Sequence, residues 1–258
     1  MFSPLLEKVS VQLGIAFTLG HLLYMLTMWI IAAMAEIRVL EVSIFVGADR
    51  GILRAKSTIP AVVYNWFPSS THLKISGFVP EDPEEVMQEY DFRAKPMWVR
   101  LMVILFPLLV LMIAGSVLIH LSGGSSVGQT MSLYLQANFF LISMEESAVL
   151  WQQILEEPMF QMGFMFLFLG ASNILTNVGK IFYQVFGPTS WIQVLFSFSS
   201  LTVMIGLFRF ASMHFSLLGL VCFYGACMGT GFIGFIGSIF MKSILPNPAP
   251  IHQEFPNT

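Results

Sequence analysis

Long apolar runs separated by short polar stretches set the pattern of this chain. Residues 13–35 read LGIAFTLGHLLYMLTMWIIAAMA, without a charged side chain. Runs of similar character cover 98–120, 159–178, 190–210 and 214–241. About 20 apolar residues reach across a bilayer core as a helix, and in lipid only helices and closed barrels satisfy their own backbone. The pattern predicts an all-α polytopic membrane protein with about five transmembrane helices.

The polar stretches differ in kind. In 36–97 the segment IRVLEVSIFV is rich in β-branched and apolar residues, as strands are. Pro60, Pro68 and Gly77 punctuate short extended pieces such as HLKIS. This loop is expected to form a small β-hairpin or sheet against the inner membrane face. PEDPEEVMQEYDF then reads as a short exposed acidic helix, with Pro83 near its start and Glu84 and Glu85 in its first turn. The loop 122–158 opens GGSSVG, and from Gln129 to Glu157 it reads as an interfacial helix. KIFYQVFGPTS is expected to separate the third and fourth spans, and the Pro-rich tail ILPNPAPIHQEFPNT to be extended.

Composition narrows the class. The chain has 258 residues, 56% hydrophobic and only 10% charged, with mean hydropathy +0.77; soluble domains carry about 25% charged residues. One membrane domain, 1–258, accounts for the length. Net charge is −3, which suggests no nucleic-acid partner. The start, MFSPLLEKVSVQ, lacks the basic region and cleavage site of a signal peptide, so the first span is expected to be retained. Cys222 and Cys227 share one apolar stretch and are expected to be packed thiols.

Lys and Arg give the orientation. The loop 36–100 holds Arg38, Arg50, Arg54, Lys56, Lys74, Arg93, Lys95 and Arg100, and the loop 122–158 holds none. The positive-inside rule puts the first loop in the cytoplasm, the N-terminus outside and the C-terminus inside. The expected location is the bacterial inner membrane.

Candidate interaction residues are few. Gly225 and Gly229 stand at GxxxG spacing, with Gly231, Gly234 and Gly237 following, and such residues let helices approach closely. Whether the neighbour is another span or another subunit stays open. His21, Asn173 and Asn177 form a possible polar intramembrane site; an interhelical hydrogen bond is the plainer expectation for His21. No cofactor motif is present.

Three pieces between 13 and 120 resemble, in order, the site-2 protease family of zinc intramembrane metalloproteases. EIRVLEVSIFVG is similar to the family's GVRV-x-x-F-S-I-G-F-G run after the catalytic helix. NWFPSSTHLKISGF resembles its P-x-G-G-Y-V-K-M segment through Pro68, Leu73 and Lys74. FRAKPMWVRLMVILFPLLVLMIAG resembles its K-P-x-W-x-R entry and A-G-P-x-x-N helix through Lys95, Pro96, Trp98, Arg100 and Pro107. A weaker likeness runs through SNILTNVGKIFYQVF, where Asn173 matches the opening Asn of N-x-x-P before L-D-G. The family's PDZ-like insertion has no counterpart.

The departures fall on the chemistry. The family's H-E-x-x-H holds zinc through two histidines on one helical face and activates water through Glu. Counting back from Glu36 puts that motif on Tyr24, Met25 and Met28, and the Asp of L-D-G has no equivalent. A zinc site needs three protein ligands. The resemblance therefore implies a chain without catalytic residues or metal, acting as a scaffold or regulator with other membrane proteins and the lipid bilayer as partners. A transport or channel component is the alternative, with Asn173, Asn177 and Gln184 lining a path. An active protease with unusual ligands is a third reading.

Overall fold

The computed structural model describes residues 4–47, 51–55, 60–68, 71–78, 88–123, 128–129, 132, 157–186 and 216–248. For 4–7, 172 and 175–186 it describes the backbone alone. Four long helices and one sheet make up this part. Helix α1 is Pro4–Met34, α2 Met97–Leu121, α3 Pro158–Phe186 and α4 Leu217–Ile244. Strands β1 Val39–Ile44, β2 Leu53–Ala55, β3 Ala61–Tyr64 and β4 His72–Ile75 lie between α1 and α2.

Among the described residues, three stretches are long and apolar enough to cross a membrane: Lys8–Met34, Met97–Leu121 and Leu217–Ile244. The protein is therefore a helical membrane protein with a small sheet. The span expected over 190–210 lies outside the described residues, as do most of the 122–158 loop and the expected acidic helix up to 87; the described end of that helix, 88–91, is a turn. Helix α3 is longer than its apolar run. It continues through KIFYQVF to Phe186, a stretch expected to be a connector. Nothing before Gly187 and Pro188 breaks a helix, so the backbone bonds propagate to that point.

Close backbone contacts fix the helix directions. At the α2–α3 crossing, a Cβ on Gly115 would lie 2.7 Å from the Gly163 carbonyl oxygen, and one on Gly163 2.8 Å from that of Gly115. Two turns on, Gly170 faces Met112 and the Leu108 carbonyl, so α2 and α3 are antiparallel. Gly14 lies against Phe223 and Ala226, and Leu22 against Gly234, so α1 and α4 run parallel. Small residues permit such approaches where bilayer lipid offers no hydrophobic drive between helices. Pro107 is accommodated inside α2, which runs unbroken through it.

The sheet order is β2-β3-β1-β4. Strand β1 pairs parallel to β3 and antiparallel to β4, while β2 pairs antiparallel to β3. The strands expected over IRVLEVSIFV and HLKIS are β1 and β4. Strand β1 turns back beside α1 and α4. Asn247, just past α4, bonds both Val39 N–H (2.9 Å) and Val39 C=O (3.1 Å) at the start of β1. At its end, Phe45 packs on Gly231. The cause is the β1 pattern: Val42 and Ile44 are fully buried, and α1 and α4 supply the apolar surface that covers them.

The base of the sheet is tied to the entry of α2. Arg38 N–H bonds the Tyr90 carbonyl (3.0 Å) and Phe92 N–H that of Ser76 (2.8 Å). The Arg38 guanidinium donates to Gln88 Oε1 and to the Pro248 carbonyl, joining three separate segments. A 3-10 turn, Phe92–Ala94, then leads through Pro96 into α2. Helix α2 thus starts on the side where α1 ends.

Candidate functional site

The positions where the family resemblance would put metal ligands and base are part of the packing. Met25 and Met28 are buried in the apolar core beside Trp29, and Tyr24 packs partly buried against it. Thioether and phenol groups there fill space between helices. No set of three or more His, Cys, Asp or Glu that could hold a metal occurs among the described residues. The residues present do not fit zinc.

His21 is buried one turn earlier. Its ring meets Phe17 edge-on at 4.6 Å between centroids, and its Nε2 has no hydrogen-bond partner. The bond that links this level of α1 to the rest of the fold runs through the backbone instead. Thr71 Oγ1 donates to the His21 carbonyl over 2.8 Å. The expected side-chain bond between helices is not formed. Asn173 Nδ2 donates to the Leu169 carbonyl of its own helix. The Asn177 side chain lies outside the described residues.

The glycines of α4 divide into two sets. Gly231 meets Phe45, and Gly234 meets Leu22 of α1. Gly225, Gly229 and Gly237 face open space. The interface role expected of all five is filled within the chain by two. Cys227 is buried and donates its thiol to the Gly14 carbonyl, and Cys222 is half-buried; both are free thiols.

Sequence reasoning missed the polar side of the sheet. Glu41 and Ser43 of β1 share a face with Val63, Arg54, His72 and Lys74 of the neighbouring strands, by the strand register. Asn65 follows β3 and is buried. Its Nδ2 donates to Ser43 Oγ (3.1 Å) and to the Phe45 carbonyl (3.0 Å). Its Oδ1 has no partner. Glu41, Ser43, Asn65 and His72, with Phe45, Val46, Gly47 and Val63, line a cavity of about 140 Å³. The alternation of E-V-S-I in β1 could have revealed a polar face, but not that Asn65 would join it from another strand.

The opposite face carries Tyr64. Its hydroxyl donates to the Met228 carbonyl over 2.8 Å, and burial, with Tyr224 and Cys227 nearby, raises its pKa above the usual phenol range. It stays protonated and holds β3 to α4.

Comparison of the chain with protein-family models, with curated proteins and with solved structures finds no match.

Proposed function

We propose that this chain is a site-2-protease-like membrane protein that no longer cleaves, and that it serves as a scaffold or regulator in a bacterial inner-membrane complex. One observation carries the likeness. Only two non-glycine residues among those described have positive φ: Glu36 at 52° and Phe45 at 69°. Set against the family's GVRV-x-x-F-S-I-G-F-G run, Glu36 takes the place of the first glycine and Phe45 that of the second. L-residues rarely adopt this left-handed conformation, whereas glycine does so freely. The chain keeps a backbone suited to glycine at two places where it has lost the glycine. The third glycine of the run coincides with Gly47.

The loss of chemistry follows from Tyr24, Met25 and Met28, none of which supplies the ligands and base of that family. Retained backbone with replaced chemistry suits a protein that binds rather than cuts.

Helix directions support five crossings. Helix α3 ends on the side where α1 ends, because it is antiparallel to α2. Helix α4 starts on the opposite side, because it is parallel to α1. The apolar stretch 190–210, between these two helices in the sequence, is the proposed fifth span. The Arg and Lys of 36–100 favour a cytoplasmic sheet, with the N-terminus outside and the C-terminus inside.

The test is purification from native membranes in mild detergent, with mass spectrometry of co-purifying proteins and metal analysis. Stoichiometric membrane partners and no zinc are expected. A lone chain with one zinc that cleaves a membrane peptide would overturn the proposal.

A further inference from the structure

The cavity beside Asn65 exists because side chains are missing around it. Alternate residues of a strand point to one face, so Glu41 and Ser43 should be followed there by Phe45. Instead the chain turns at Phe45, whose φ is 69°. Its ring lies on the helix side, 6.0 Å from the Tyr64 ring and against Gly231. The neighbouring positions are glycines. A Cβ on Gly47 would stand 2.7 Å from Asn65 Oδ1, and one on Gly51 3.3 Å from it. One left-handed residue and two absent side chains thus make the room. Backbone strain of this kind gathers at ligand sites.

The walls accept hydrogen bonds. Asn65 is only 4% exposed. Its amide orientation is fixed, because the Phe45 carbonyl accepts and must face the NH₂ group. Its Oδ1 is therefore a buried acceptor without a donor, and leaving one so is costly. Ser43 Oγ accepts one bond from Asn65 Nδ2 and keeps a second lone pair. Glu41 adds a carboxylate, which offers about four acceptor positions; Arg54 meets only its Oε2, at 3.3 Å. His72 closes the side at β4. Among the described residues that line the cavity there is no Lys or Arg. Among the described residues, no three His, Cys, Asp or Glu side chains converge to hold a metal. Three acceptors, one of them charged, suit a cation that carries three N–H donors.

We propose that this cavity binds a small primary ammonium ion, whose N–H groups go to Asn65 Oδ1, Ser43 Oγ and the Glu41 carboxylate. A volume of about 140 Å³ holds the ammonium and a short alkyl group. The inference rests on the cavity alone, not on the protease likeness or on any position in the membrane.

Thermal unfolding of the full chain in detergent, titrated with methylammonium chloride, tests it. Sodium chloride and tetramethylammonium chloride at the same concentrations are the controls; tetramethylammonium carries the charge without a donor. A ligand that binds the folded chain raises the melting temperature with its concentration. Methylammonium should raise it well beyond the two controls. Glu41→Gln keeps the shape and removes the charge, and should weaken the apparent affinity about tenfold. Ser43→Ala should weaken it severalfold. Equal shifts from all three salts would show an effect of ionic strength only, and no shift would show that water alone fills the cavity; either result overturns the proposal. A methylammonium shift undiminished in both variants would put the ion elsewhere and would overturn it as well. The comparison of salts on the wild type stands even if a variant fails to fold.

Discussion

Phe45 occupies the space that a side chain at Gly231 would need. A Cβ at Gly231 would stand 2.5 Å from Phe45 Cζ and would also collide with Cε2. This contact seats the end of β1 on α4. Gly231→Ala must therefore displace a fully buried ring, and overpacking of this kind costs about 1–3 kcal/mol. Gly229→Ala, two positions away with open space around it, should cost nothing measurable and gain slightly from helix propensity. Thermal unfolding of both variants in one detergent checks this. Equal melting temperatures would show that the Phe45–Gly231 contact does not hold the sheet.

Glu36 gives the opposite sign. Its φ of 52° is strained for an L-residue, its side chain is exposed, and its N–H bonds the Ala33 carbonyl. Glu36→Gly keeps that bond and relieves the strain, so it should stabilise by about 1 kcal/mol. A rise in melting temperature is the expected reading. A fall would show that the turn after α1 is not strained at this residue. Phe45→Gly is the less informative partner, because it also deletes a core ring.

Much of this architecture was legible from residue pattern, and the rest was hidden for identifiable reasons. Apolar run length gave α1, α2 and α4, because the bilayer sets that length. β-branched content gave β1 and β4. The seat of the sheet against α1 and the end of α4 was not legible, since it depends on Asn247 and Thr71 finding backbone partners far away in sequence. Glycine spacing did not single out the close approaches within the chain. The Gly225–Gly229 pair faces open space, while isolated Gly14, Gly115 and Gly163 make the close approaches. Spacing along one helix says which residues share a face, not which face meets a neighbour. The site residues share that limit. His21 and Asn173 are both polar and both in helices, and Asn173 gives one donor to its own Leu169 carbonyl.

Asn247 acts as a surrogate strand residue at the base of the sheet. It accepts from Val39 N–H and donates to Val39 C=O, and Val39 is buried. Asn247→Ala leaves both backbone groups without these bonds. The expected loss is about 2 kcal/mol, near 1 for each bond. Asn247→Asp keeps the acceptor and loses the donor, so it should fall between the two. Amide exchange at Val39, compared among the three proteins, reads the effect locally. Unchanged protection in Asn247→Ala would show that β1 holds its start without the segment after α4.

Writing a protease motif into α1 is the sharpest test of the proposed likeness. The triple variant Tyr24→His, Met25→Glu, Met28→His introduces H-E-x-x-H in the register that the resemblance gives. Met25 and Met28 lie in the apolar core at 3% and 8% exposure. Burying a carboxyl and an imidazole there without partners costs about 1–3 kcal/mol for each polar group. Two imidazoles one turn apart would hold zinc only weakly, because a stable site needs a third protein ligand and among the described residues no acidic or thiol cluster supplies it. The variant should unfold at lower temperature, and added zinc should not restore the loss. Stoichiometric zinc by metal analysis, together with recovery of the wild-type melting temperature, would show that a third ligand remains in place and that the cleft is still built for metal.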